Sequence, residues 1–443
     1  MASAVGCGNT YRPVVSAINP VGPAAQPQKF AVAISTTGTA TSPTPGLVTF
    51  VDFSGDTVLI TAQIGVNPYY LILNSGGQTG YSLNSDHTLT TFDIDTALLQ
   101  SNILQTTLLP GANPVSIFPE GANTYVSDPG LNVVSQFTGQ PLNLQQQLII
   151  NPAFTPIYVA GIASAPRVYA ISQRVGGGLG QVSTIETSSN TIDPNPIPVG
   201  SNPVYGVMTA DAKRAFIMNQ GDGTVSVINA QTNLLDMVPA GATNPIKVGT
   251  SPLWADFAPT RNEMVVANAG DGVNPGTLSI ISIPLCSAVA LPANPNCDPN
   301  NPIDAVGFGT VLATVTVGVN PVMVGVLQDG TRAYVLNSGN PHLACAGPGV
   351  PPPTTTCSVS VVNLTTNLVS ATIPIVTNPP TVGLPLLNGH PNYIAVTTGT
   401  PTGKVYVVSP ESNFMTVIRT DIDTVDTTVP LQGNGVSVRV TQP

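Results

Sequence analysis

Apolar runs of about four to eight residues, rich in Val, Ile and Thr and bounded by Gly, Pro, Asn or Asp, recur along the whole chain. Such runs predict β-strands separated by tight turns, and the Asp-Gly and Asn-Gly-like steps between them supply the turns. The runs also come in a fixed order. One unit reads Asn202-Pro203-Val204-Tyr205-Gly206-Val207-Met208, then Arg214-Ala215-Phe216-Ile217-Met218-Asn219, then Gly223-Thr224-Val225-Ser226-Val227-Ile228-Asn229, then Thr232-Asn233. A second reads Asn320-Pro321-Val322-Met323-Val324-Gly325-Val326, then Arg332-Ala333-Tyr334-Val335-Leu336-Asn337, then Cys357-Ser358-Val359-Ser360-Val361-Val362-Asn363, then Thr366-Asn367.

Looser copies open at Asn67-Pro68, Asn113-Pro114, Asn151-Pro152, Ser251-Pro252 and His390-Pro391. Four strands in a repeating unit describe one propeller blade. The two ends of the chain complete each other. Gly435 to Val440 reads as a first strand with nothing after it, and Phe30–Ile34, Leu47–Val51 and Val58–Thr61 read as strands two to four with no first strand. Pairing them would close the ring and cover edges that otherwise invite aggregation. The fold expected is therefore all-β, a single propeller of four-stranded blades. Repeat counting gives eight blades, with seven as the alternative because the units between 111 and 200 are irregular. Residues 24–443 form the propeller and 1–23 an N-terminal segment.

The Asn-Pro, Tyr-Val-x-Asn and Thr-Val-Ser-Val-Ile-Asn elements at these spacings resemble the YVTN-repeat β-propeller family, over roughly residues 24 to 440. The resemblance implies a bacterial or archaeal protein, secreted or surface-bound, in a family whose members mostly have no assigned reaction. Many members have seven blades, so eight would be a departure. A related lactonase branch hydrolyses sugar lactones on a similar propeller.

Composition narrows the possibilities. Charged residues are 8% of the chain against a usual share of about 25%. The net charge is −10 with 12 Lys and Arg and no basic cluster, which excludes a nucleic-acid partner. No apolar run is long enough for a membrane-spanning helix. Ala4-Val5-Gly6-Cys7 resembles a lipobox, so Cys7 is the expected lipidation site and a lipid anchor the only expected link to a membrane. The other cysteines fall into two local pairs, Cys286 with Cys297 and Cys345 with Cys357, and no Cys-x2-Cys spacing supports a metal site instead. Two disulfides imply an oxidising compartment.

Candidate chemistry is sparse. His87, His342 and His390 fall in different units, and neither a Gly-x-Ser-x-Gly elbow nor a His-Glu-x-x-His motif occurs. Asp93 with Asp95, and Asp421 with Asp423, alternate so that each pair shares a strand face. Calcium is the one cofactor they suggest, weighed against turn aspartates that bond their own backbone. The most regular polar position closes the second strand of each unit: Asn84, Asp128, Gln173, Asn219, Asn268 and Asn337. On a propeller these form a ring on one face and are the candidate ligand-binding residues, unless each ties its own loop together. Tyr69, Tyr70, Tyr205 and Trp254 sit near first-strand starts and could add stacking. Insertions at 284–310 and 338–357 each carry a cysteine pair and would present rigid loops. The expectation is a non-enzymatic binding or scaffold protein of the bacterial envelope with a protein or glycan partner. The alternatives are a lactonase-like hydrolase with a central divalent cation and a self-assembling surface protein.

Overall fold

The computed structural model describes residues 29–39, 41–94, 103–163, 165–236, 244–284, 307–346, 352–375, 389–397 and 402–441. Within them, antiparallel sheets form eight blades around a central channel. Blade 1 is composite: Asn434–Val440 is its innermost strand, followed outward by Phe30–Thr36, Pro45–Asp52 and Thr57–Val66. The innermost strands of blades 2 to 8 are Pro68–Leu73, Ser116–Glu120, Phe154–Ala160, Pro203–Met208, Pro252–Ala258, Pro321–Val326 and Tyr393–Thr397. The ring closes as the two ends of the sequence imply, with Ala31 opposite Val440, Ala33 opposite Val438 and Thr36 opposite Asn434. Outside the strands, the described residues contain one short helical turn, Pro259–Arg261.

The core lies in the seams between blades. Leu83 and Leu89 of blade 2 pack with Ile117, Val126 and Phe137 of blade 3. Tyr334, Val359 and Val361 of blade 7 pack with Ile394, Val405 and Val407 of blade 8. A fully buried side chain of this size contributes about 1.5–3 kcal/mol. Each repeat therefore gains its stability from its neighbours, and none has a closed core of its own.

The recurrent residues of the unit have structural work in these seams. The second-strand tyrosine reaches into the next blade and donates to a residue held at positive φ in its outer turn. Tyr125 donates to Asn190 (2.5 Å), Tyr169 to Asn233 (3.2 Å) and Tyr334 to Asp423 (2.7 Å), whose φ values are 53°, 56° and 51°. The Asn or Asp of the outer turn is thus the receiving half of the latch, as in Thr232-Asn233, because Asn and Asp tolerate the left-handed region best among side-chain-bearing residues. A cation two residues before the tyrosine reinforces the contact. Arg167 Nη1 reaches the same Asn233 oxygen at 3.1 Å, and Arg332 Nη1 reaches Asp423 at 2.8 Å. At the closing seam, Lys404 Nζ lies 2.6 Å from Asp56 of blade 1.

Glycine is required where the chain passes from one blade to the next. A Cβ on Gly318 would lie 2.6 Å from Asn337 Cγ, and one on Gly65 would lie 2.3 Å from Asn84 Nδ2. The Gly-x-Asn-Pro at each of these junctions leaves room for the asparagine that closes the second strand.

If the latch stabilises the seam, Tyr334→Phe should lower unfolding free energy by about 1–2 kcal/mol, since it removes a bond to a half-buried carboxylate. Chemical denaturation of Tyr334→Phe, Arg332→Met and the double variant should also give a coupling energy above about 0.5 kcal/mol, as expected for two groups sharing one partner. Additive losses would show that Asp423 does not join them.

Candidate functional site

The six polar positions that close the second strands are placed at equivalent points, as the repeat implies, but four of them face inward into their own blades. Asn84, Asn219, Asn268 and Asn337 are no more than 1% exposed. Asn219 Nδ2 donates to Thr224 Oγ1 at 3.0 Å and Ser226 Oγ at 2.9 Å. Asn84 makes the same pair with Thr88 and Thr90, Asn268 with Thr277 and Ser279, and Asn337 with Ser358 and Ser360. These amides clamp the second strand to the third. Asp128 accepts from the backbone N–H groups of Asn113 and Leu131, and Gln173 donates to the carbonyl of Pro203. The structure brings none of the six together around a common point.

Cys345 and Cys357 form the disulfide expected of that pair, with Cα atoms 5.5 Å apart. Cys7, Cys286 and Cys297 lie outside the described residues, as does most of the 284–310 insertion. His390 sits against the disulfide, its Nδ1 3.8 and 4.0 Å from the two sulfurs. Nδ1–H donates to the Ser338 carbonyl at 2.6 Å, so the imidazole ties the disulfide loop of blade 7 to the start of blade 8. His87 is held by the carbonyl of Ala112. Asp421 pairs with Arg419 and Asp423 takes part in a seam latch, while Asp95 lies outside the described residues. Among the described residues, no three carboxylates gather at one point.

The residues that do converge line the channel. In blades 2, 4, 5 and 6 the pairing of the innermost strand shifts just after a proline, at Pro68, Pro156, Pro203 and Pro252. Proline is tolerated there because the innermost strand borders the channel, where no partner strand asks for its N–H. In blades 2, 5 and 6 the residue before the proline has positive φ: 42° at Asn67, 49° at Asn202 and 57° at Ser251. A bulge of this kind re-aims the side chain that follows. In all four blades that side chain is aromatic: Tyr70, Tyr158, Tyr205 and Trp254. Tyr393 follows Pro391 at the same spacing in blade 8.

These five rings meet across the channel although blades 3 and 7 separate some of them in the ring. Tyr205 stacks on Trp254 with centroids 4.0 Å apart, Tyr158 lies 5.0 Å from Tyr205, and Trp254 lies edge-on to Tyr393 at 6.2 Å. The hydroxyls of Tyr70 and Tyr158 lie close enough to influence each other's ionisation. Arg439, on the ring-closing strand, reaches into this girdle. Its guanidinium lies 4.7 Å from the Tyr393 ring centre and 6.0 Å from that of Trp254. Nε donates to the carbonyl of Leu71 at 3.2 Å. Its Nη groups have no protein acceptor, and no carboxylate lies within ion-pairing distance of it among the described residues. Burial raises the pKa of every one of the four tyrosines, so all are neutral hydroxyl groups at physiological pH.

Tyr69, Tyr70, Tyr205 and Trp254 all lie near first-strand starts as expected, but the Tyr69 hydroxyl turns to donate to the carbonyl of Pro114. Tyr158, Tyr393 and Arg439 were not anticipated. The signal that finds the rings is a five-fold Pro-x-aromatic: Pro68-Tyr69-Tyr70, Pro156-Ile157-Tyr158, Pro203-Val204-Tyr205, Pro252-Leu253-Trp254 and Pro391-Asn392-Tyr393.

These features define an eight-bladed β-propeller with an aromatic channel. No protein-family model matches the chain, and no curated protein matches it in sequence. Among solved structures it is similar to the dihydro-heme d1 dehydrogenase NirN in complex with DHE, at 12% identity over 95% of this chain and 77% of that one, with a TM-score of 0.59. AztD of Citrobacter koseri gives 10% identity over 93% and 97%, with a TM-score of 0.57. Kuenenia stuttgartiensis hydrazine synthase gives 16% identity over 78% and 92%, with a TM-score of 0.50. At these identities the likeness shows the fold alone.

One carboxylate stands further along the strand that carries Trp254. Asp256 accepts from the N–H groups of Phe257 and Val326, yet burial outweighs both bonds and raises its pKa from 3.8 to about 6. Between those values the folded chain holds a proton that the unfolded chain has released, so this group makes stability fall as pH rises through the window. In urea titrations, the stability of the wild type relative to Asp256→Asn should drop by on the order of 2 kcal/mol from pH 4 to pH 7. A constant difference would mean that Asp256 ionises normally.

Proposed function

We propose that the chain is a non-enzymatic binding protein of the bacterial cell envelope whose ligand sits in the central channel, against the aromatic girdle. The observation that carries this reading is the convergence of five rings from five blades on one cation. Nothing in the fold demands rings there, since blade 7 has Met323 at the position of Trp254 and packs equally well. Aromatic faces beside polar tips are typical of small-ligand sites. The absence of chemistry is supported by how the other candidates are engaged: His87 and His390 bond carbonyls, and Asp256 holds two backbone N–H groups. A lactonase-like site would draw on converging carboxylates, and the described channel offers Asp256 in isolation. Self-assembly would draw on exposed outer-strand residues such as Leu234 and Leu368.

The disulfide supports an oxidising location, periplasmic or outside the cell. Lipidation of Cys7 would hold the propeller at a membrane. A protein or glycan partner would meet the face that carries the Cys345–Cys357 loop.

Trp254 is the only tryptophan of the chain, so its fluorescence reports the girdle directly. Titration with a panel of small sugars, amines and carboxylates should change its emission saturably for at least one class, with the compound recovered intact by mass spectrometry. If acrylamide quenches Trp254 freely but no panel member alters its emission, the channel is open and is not a binding site. Recovery of a converted compound would turn the reading towards an enzyme.

A further inference from the structure

We propose that the channel ligand carries a carboxylate, and that Arg439 is the residue that receives it. The inference rests on the channel being the ligand site and adds the chemical class of the ligand. It starts from an imbalance of charge. A guanidinium taken out of bulk water is normally paired with an anion, because desolvating a lone charge is costly. The chain follows that rule elsewhere: Arg167, Arg214, Arg261, Arg332, Lys404 and Arg419 each pair with a carboxylate. Arg439 reaches into the aromatic girdle and, among the described residues, pairs with none. Its surroundings are the faces of Tyr393 and Trp254 and the single carbonyl of Leu71.

The donors that remain match one kind of group. The Arg439 Nη groups form a planar fork, which suits a carboxylate bidentately. Two hydroxyls beside it, Tyr393 Oη and Ser437 Oγ, are buried neighbours that lack a hydrogen bond of normal geometry. Ser437 stands two residues before Arg439 on the same strand, so both side chains leave it on one face. The guanidinium and both hydroxyls are able to donate, so an oxyanion, which only accepts, suits this set of groups. Asp256 does not serve as that anion, because each of its oxygens already accepts a backbone N–H. The stacked pair of Tyr205 and Trp254 gives the rest of the ligand a flat apolar surface. A small organic carboxylate with a flat apolar body fits these features better than an inorganic oxyanion, for which the rings would have no partner.

Benzoate and benzamide are matched probes, equal in shape and different in charge. By Trp254 fluorescence, benzoate should bind at least ten-fold more tightly than benzamide and more tightly than inorganic phosphate. Arg439→Gln should weaken benzoate at least ten-fold and leave benzamide little changed, and Arg439→Lys should fall between. Equal binding of benzoate and benzamide, or benzoate binding unchanged in Arg439→Gln, would overturn the carboxylate while leaving a channel ligand in place. Binding of a sugar or an amine with no response to benzoate would do the same. A channel in which no compound alters Trp254 would remove both readings. Arg439 lies on the ring-closing strand, so Arg439→Gln could fail to fold; the benzoate and benzamide comparison on the unaltered chain then decides alone.

Discussion

Each described seam is closed by side chains that cross from one blade to the next, and the most regular of these is a phenol bonded to a residue in left-handed conformation. Tyr125, Tyr169 and Tyr334 each find such a partner one blade onward. The constraint is geometric before it is energetic. A turn residue at positive φ points its side chain back towards the preceding blade, and a phenol is long enough to meet it without disturbing the apolar packing beneath. At these three seams a blade cannot rotate relative to its neighbour without breaking that bond, so the latch holds the angle between the two blades. The channel lining depends on that spacing, because rings from blades 2, 4, 5, 6 and 8 meet only if all the seams hold their angles.

The same economy explains where the charges are. With 12 Lys and Arg in 443 residues, the chain places Arg167, Arg332 and Lys404 at one repeat position, two residues before the latch tyrosine. Arg214 occupies the corresponding place in blade 5, fully buried against Asp236. Six of the cations stand beside an anion, and four of those six occupy this repeat position. Arg439 differs from these in having aromatic faces where they have carboxylates, in a part of the channel that also holds Asp256, whose pKa burial raises.

The fold was legible because repetition amplifies weak signals. A single Val-Ser-Val-Ile run is ambiguous, but the same run after the same Tyr-Val-x-Asn in successive units specifies a strand, its neighbours and its register. The complementary ends were legible for the same reason, since a lone first strand at 435–440 matched the one place in the ring that lacked it. The candidate site was legible only in part. An Asn repeated at the end of the second strand reads equally well as a ligand ring or as a clamp, and the deciding facts are the Thr and Ser on the adjacent third strand: Thr224 and Ser226 for Asn219, Ser358 and Ser360 for Asn337. The rings were visible one at a time, as Tyr70, Tyr205 and Trp254. Their convergence needed the bulge after proline, which no residue count reveals. Arg439 carried no motif at all, and its importance comes from what lies around it in space.

Composite blade 1 has one more consequence. Its innermost strand follows the other seven blades in the chain and brings Arg439 with it. Five aromatic side chains can be in place while the ring is still open, but the cation they surround arrives only when residues 434–440 dock beside residues 30–36. Until that strand docks, the girdle has its rings and lacks its cation. Any nascent or truncated chain that stops short of that strand has neither a closed ring nor a charged centre. Closing the ring and placing the central cation are therefore one event in this architecture.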